Sequence, residues 1–330
     1  MMREQVKHVN RVWMFAVLAM LGASVLVGLL GRWIEDEGLL LMLNQVIIFL
    51  PSLIYLLWRG NIAETIGIRR IPLVTVPLLV LLMILFIPLI SLLNVISMFF
   101  AENLIGVTAE QILSGHSLAL SIVMIALVPA IFEEILFRGI VYHDGYRQVS
   151  PVKGALLCGL MFGLLHMNLN QFMYAFVLGA VLCIVLEATG SILATMIMHF
   201  TLNSYSMVML HLSNLLAENE QIAEIIGEIG EDAEMTPEML KDTLLSILPV
   251  AVAATVLAFV LLRKIAKICG REEHLQALFT RRQEPVTTWE AWDAEERKPG
   301  LITVAWVIGA LLCIGMMVLV QISGNGGVLQ

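Results

Sequence analysis

The sequence predicts an all-α fold: a polytopic transmembrane helix bundle of about nine spans (eight to nine), with the N-terminus inside. Three observations predict it. Apolar residues make up 59% of the chain and charged residues 14%, against roughly 45–50% and 25% in a soluble domain. The mean hydropathy is +0.90. The apolar residues gather in runs near bilayer length, about 20 residues, and alternating those runs across a membrane puts 17 of the 19 Lys and Arg residues on one side. The same figures exclude a disordered chain, a basic nucleic-acid binder and a disulfide scaffold. No nucleic-acid partner is expected; membrane lipids are.

The spans follow in order. Residues 12–30 and 39–58 are plain apolar runs; the first is too long for a cleaved signal core and reads as a retained anchor. The third, 72–100, carries Pro72, Pro77 and Pro88 and is expected to kink or tilt. The fourth is 117–142. The fifth and sixth, 153–167 and 171–187, are short and read as a hairpin stopping before the far side. The seventh, 191–211, is followed by the acidic stretch 212–242, which holds nine acids and one base and so accounts for the whole net charge of −8. Ile222, Ile225, Ile226 and Ile229 predict an amphipathic helix there, and Thr236-Pro237 reads as an N-cap with Pro at the first helical position. The eighth and ninth spans, 243–262 and 301–321, flank the basic inner segment 263–300. Trp289, Trp292 and Trp306 suit an interface before the last span. Segments 1–116, 117–211, 212–242 and 243–330 are thus N-terminal spans, a polar-bearing core, an outer loop and C-terminal spans.

Four cysteines form no C-x-x-C pair, and neither a P-loop nor G-x-G-x-x-G occurs. No internal repeat supports an inverted-repeat transporter. His116, Asn94 and Glu187 fall near span ends and are read as interfacial.

The remaining polar residues sit inside spans, where ionisable groups are costly and functional by default. Span four carries Glu133, Glu134 and Arg138. Span five carries His166, four residues after Phe162, and span seven carries His199 and Asn203. Glu134 and Arg138 are i, i+4 and meet on one helix face; Glu133 lies about 100° round and lacks that partner. At 1.5 Å per residue from the inner ends, Glu133, His166, His199 and Asn203 lie about 15, 20, 12 and 18 Å deep. Three helices therefore bring their polar residues to one level. A carboxylate and an imidazole there can deprotonate a water. A second histidine with an asparagine can donate to a developing oxyanion. These are the parts of an amide hydrolase. The blander reading makes each histidine a helix-bridging residue, Glu134–Arg138 a neutralised pair and Phe162 packing; the shared depth weakens it.

Glu133-Glu134-x-x-x-Arg138, Phe162-x-x-x-His166 and His199-x-x-x-Asn203, with Phe137-Arg138-Gly139 and Thr189-Gly190-Ser191 as flanks, resemble the three motifs of the CPBP family. These are the type 2 CAAX prenyl endopeptidases and the bacteriocin-processing (Abi) membrane proteases. The resemblance spans roughly 117–211. It implies an intramembrane, glutamate-type endopeptidase in a multi-pass, bacterial plasma-membrane setting. Its peptide or protein substrate would reach a membrane-embedded site. Glu133 and His166 would activate the water, His199 and Asn203 would form the oxyanion hole, and Glu134, Arg138 and Phe162 would support them. The two extra C-terminal spans and the 212–242 segment lie outside the shared core. No cofactor is expected. Zinc is the alternative, but H-E-x-x-H is absent and Arg138 beside the carboxylates disfavours a dication. Two other functions compete: a non-catalytic adaptor or bacteriocin-immunity protein that kept the fold, and a proton-coupled transporter using Glu133 and the histidines as a relay.

Overall fold

A computed structural model describes residues 2–101, 105–217, 236–279 and 300–326. Among these residues the fold is helical. We number its helices α1 (Met2–Leu30), α2 (Glu37–Arg59), α3 (Ile62–Thr65), α4 (Thr75–Met98), α5 (Ile105–Gly115), α6 (Leu118–Tyr146), α7 (Pro151–Leu165), α8 (Leu169–Thr189), α9 (Ile192–Ala217), α10 (Pro237–Ile268), α11 (Glu272–Phe279) and α12 (Val304–Gly326). Among the described residues eight are long and apolar enough to cross a membrane, and α7 is a shorter apolar helix. The chain is an all-α, multi-pass membrane bundle, as expected.

Helix bounds follow local chemistry. Asp36 caps α2 by accepting from the Leu39 N–H at 2.9 Å; that bond, aided by His116, holds its carboxyl below the ordinary aspartate value. Thr236 caps α10 in the same way, with Pro237 at the first helical position. The helix it starts is the eighth span itself, which reaches back to 237. Likewise α9 extends to Ala217. The predicted helix over Ile222–Ile229 and the residues Trp289 and Trp292 lie outside the described residues. Trp306 is in the first turn of α12, stacked on Trp13 with ring centroids 6.2 Å apart. In α4, Pro72 precedes the helix and Pro77 sits in its first turn, where the missing N–H costs nothing; Pro88 lies inside it.

The predicted hairpin of spans five and six forms, with one correction. Helix α7 has 15 residues, but α8 has 21 and is not short. Its extra turns come from residues that hydropathy trims away: Asn168 caps it through Asn170 and Gln171, and Gly190 closes it in the left-handed conformation at φ 73°. Gly159 and Gly163 let the two helices touch. A Cβ on Gly159 would stand 2.6 Å from Phe176 O, and one on Gly163 2.9 Å from Phe172 O. Small residues four apart are the usual means of close approach in membranes. Helix α7 rises about 22 Å, short of a ~30 Å hydrocarbon core. The turn after it, 166–168, therefore ends inside the bundle.

Helix α6 is the centre, packed on α1, α2, α7 and α9. It is not uniformly α-helical: Val123–Leu127 and Ile135–Tyr146 are π-helical, a form that appears at functional sites. Buried ion pairs anchor its far end. Asp144 accepts from Arg59 at 2.8 Å, from Tyr55 at 2.6 Å and from Gln5. Glu187, only 1% exposed, accepts from Arg147 at 2.7 Å, Tyr142 at 3.0 Å and His274 at 2.5 Å. Its backbone carbonyl takes the Arg271 Nε at 2.6 Å. Burial pulls the Arg271 guanidinium below its ordinary value, against the pull of Glu187. Glu187 is thus a buried hub that docks α11 on α8, not an interfacial residue without a role. Outward, α10 lies along α4 and α12 along α1.

Candidate active site

Glu133 and Glu134 are neighbours with opposite environments. Glu134 is fully buried, whereas the Glu133 side chain is 33% exposed. Arg138, also fully buried, lies 3.0 Å from Glu134 Oε1, as the i, i+4 spacing requires. The close approach of α3 makes Gly139 necessary beside it: a Cβ there would be 2.7 Å from Ile66 Cβ. One contact was not legible in the spacing. His199 Nδ1 lies 2.9 Å from the same Glu134 oxygen. A carboxylate only accepts, so Nδ1 carries the proton and Nε2 faces the other way. There it stands 3.7 Å from Glu133 Oε2.

His166 is not inside its helix but at the C-cap of α7. Its Nδ1 donates to Phe162 O at 2.8 Å, which again leaves Nε2 free. Phe162 does more than fill space. Its ring meets His166 edge-on at 4.8 Å and His199 at 5.8 Å, and carries the Arg138 guanidinium 4.5 Å from its centroid. One buried ring therefore sets the spacing of both histidines and the arginine.

Asn203 lies one turn along α9 from His199, and its Nδ2 donates to Ile125 O at 3.3 Å. The backbone explains why the neighbouring carbonyl, Met124 O, also takes a side-chain donor. Pro129 has no N–H. The preceding donor, Val128 N–H, reaches back five residues to Val123 O. In that register Met124 O loses its donor, and Gln45 Nε2 takes it at 3.2 Å. Two side-chain amides, Gln45 from α2 and Asn203 from α9, thus repair the π-helical stretch and are oriented by it.

A cavity of about 600 Å³ joins these groups. Glu133, Phe162, His166, His199 and Asn203 all line it, together with Gln45. Asn94, Gln171 and Tyr174 add polar surface from α4 and α8. All four predicted catalytic residues therefore share one chamber, with Glu134 and Arg138 behind its wall. Gln45, Gln171 and Tyr174 were not anticipated, and Asn94, read from the sequence as interfacial, lines the chamber instead. The signal for Gln45 was available: Asn44-Gln45 is a pair of adjacent amides in a mostly apolar span.

Glu134 is committed to Arg138 and His199, and the His199 Nδ1 to Glu134. Among the described residues no group of three or more His, Cys, Asp or Glu is arranged to hold a metal.

Comparison with known proteins gives one match. Residues 115–205 fit the family model described as type II CAAX prenyl endopeptidase, Rce1-like. The match covers all three motifs and less than a third of the chain, and it supports the CPBP family and a CAAX-protease-like membrane peptidase. No curated protein and no solved structure matches the chain.

Proposed function

We propose, for a chain whose segment 115–205 carries the core of the CPBP family, that the protein is an intramembrane endopeptidase of glutamate type. The observation that carries the reading is a carboxylate facing the chamber directly beside one that is committed behind its wall. Glu133 faces the cavity while Glu134 is held by Arg138 and His199.

Glu133 and the free Nε2 of His166 hold a water between them. Glu133 accepts its proton as the oxygen attacks the peptide carbonyl carbon. The C=O electrons move onto oxygen, and the tetrahedral oxyanion is met by donors from α9. Asn203 has a second amide N–H beyond the one given to Ile125. His199 serves when its Nε2 also carries a proton, and Glu134 at Nδ1 compensates the added charge. Collapse breaks the C–N bond, and the proton held by Glu133 passes to the leaving nitrogen. The glycine-mediated contact of α7 with α8 fixes where His166 stands.

The reading extends to a bacterial plasma membrane with the N-terminus inside, supported by the distribution of Lys and Arg. The partners are lipid and a peptide segment that reaches the membrane, and the chemistry uses no metal. The test is purified Glu133→Gln protein in liposomes. Peptide cleavage is expected to disappear while the unfolding midpoint is retained; cleavage that persists in this variant defeats the mechanism.

A further inference from the structure

The chamber is one-sided. Counted along α9 from its inner end at Ile192, the lining residues run from His199, about 10 Å along, to Leu210, about 27 Å along. Counted along α4 from Thr75, they run from Ile87 to Val95, about 18 to 30 Å. Helix α5, in the connection between the outer ends of α4 and α6, adds Thr108, Ala109 and Ile112. The chamber therefore runs outward from His199, and its wall stays polar along the way. Asn94, Thr108, Gln171 and Ser206 line it, and Thr108 and Ser206 are exposed.

Inward of His199 the bundle is filled. Every residue of α6 from Glu134 to Tyr146 is buried except Ile135 and His143, which are partly so. Glu134 meets Arg138 there, and Glu187 meets Tyr142 and Arg147 further in. Helix α3 and the turn after it close over the end. His143 Nδ1 donates to Thr65 O at 3.1 Å, and the Ile192 N–H to Gly67 O at 3.2 Å. Gly67, at φ 70°, admits that contact: a Cβ on it would lie 3.0 Å from the His143 ring. Arg59, Arg69, Arg70, Arg147 and Lys153 mark this closed end as the cytoplasmic one.

We infer that the chamber opens on the outer face alone, and that the substrate is a peptide segment presented on that face after export, not a cytoplasmic one. The inference rests on the endopeptidase reading and on the N-terminus lying inside. It adds the side from which peptide and water both arrive. A peptide backbone carries N–H and C=O groups that cannot stand bare in hydrocarbon. The polar wall from Ser206 and Asn94 down to Gln171 gives them partners on the way to Glu133. The same wall supplies the water that Glu133 and His166 activate. An inner route has no such wall. It would have to part Glu134 from Arg138 and Glu187 from its donors, and a buried ion pair that loses one partner leaves an uncompensated charge. The reaction that must supply this substrate is transport of the peptide across the membrane.

The test uses the full chain in right-side-out and inside-out vesicles from one batch of bacterial cells. The probe is a methanethiosulfonate carrying a fixed trimethylammonium charge, added outside the vesicles, with adducts mapped by mass spectrometry. Asn94→Cys and Ser206→Cys report the chamber from two different helices, so one that fails to fold leaves the other. Trp33→Cys, at an exposed position between α1 and α2, marks the outer face, and the native Cys269 at the end of α10 marks the inner one. Cys158, Cys183 and Cys313 are buried. Both chamber positions should react about a hundredfold faster in right-side-out vesicles, the order of the penalty on a charge in hydrocarbon. Trp33→Cys should behave alike and Cys269 oppositely. Equal reaction from both sides, reaction from the inner side alone, or reaction from neither overturns the inference. So do markers that exchange sides. Water-soluble decapeptides of random sequence, added outside the same vesicles, read the activity, and cleavage is expected in the right-side-out preparation only. Cleavage confined to inside-out vesicles overturns the inference and leaves the endopeptidase reading standing. Outer labelling with no cleavage in either preparation supports the opening and refutes the endopeptidase reading.

Discussion

Replacing Glu134 with glutamine changes one atom's chemistry and almost no volume, so it isolates the charge. Glu134 and Arg138 are both fully buried, 3.0 Å apart. Coulomb's law at that distance, with an effective dielectric near 20, gives about 5 kcal/mol of attraction. Breaking a buried pair by removing one partner costs about 3–5 kcal/mol, because the survivor stays buried and uncompensated. The amide oxygen introduced by Glu134→Gln can still accept from His199 Nδ1, so the loss falls on Arg138. At roughly 2 °C per kcal/mol for a long chain, the unfolding midpoint should fall by about 6–10 °C. The assay is scanning fluorimetry in detergent on wild type, Glu134→Gln and Glu133→Gln. Glu133 is 33% exposed and 3.7 Å from the His199 imidazole, so its variant should unfold within about 2 °C of wild type. The double variant Glu134→Gln with Arg138→Met removes both charges and should recover at least half the loss. If Glu134→Gln shifts the midpoint no more than Glu133→Gln does, the division into a structural and a free carboxylate is wrong.

Three further outcomes are expected. Asn203→Ala should lower kcat by about 10²–10³ with little change in KM, as for loss of an oxyanion donor; steady-state kinetics on one cleaved peptide checks it. Gly159→Ala puts a Cβ 2.6 Å from Phe176 O. That backbone atom cannot swing aside, so the variant should lose about 1–3 kcal/mol and lose activity with it as His166 moves. The two losses are read as midpoint and rate on the same preparation. Exhaustive dialysis against EDTA should leave activity at or near its starting level; abolition reversed by added zinc would contradict the proposed chemistry.

Several features were legible because they are local. Glu134 meets Arg138 because helix geometry puts i and i+4 on one face, and this holds at the edge of a π-helical stretch. The Thr236 cap needs only the residues that follow it. The common depth of Glu133, His166, His199 and Asn203 came from counting residues, and all four line one cavity. Hydropathy was less informative about helix ends. It started the sixth span at 171 and missed Leu169 and Asn170, since the capping Asn168 and its neighbour count as polar whether or not their partners are present.

The sequence by itself determined the helical membrane bundle, the three motif-bearing helices and the glutamate that Arg138 neutralises. These follow from composition, run length and the 3.6-residue period, all short-range quantities. Only the tertiary structure decided that His199 bonds Glu134 across 65 positions of chain, that the Phe162 ring contacts both histidines and Arg138, and that Gln45 repairs the carbonyl left by Pro129. It alone set the chamber running outward from His199. The physical reason is that lipid and the bundle interior are equally apolar, so hydropathy does not tell which face of a span turns inward. That choice is made by packing, here by glycines that admit close contact and by buried polar groups that must find partners in another helix.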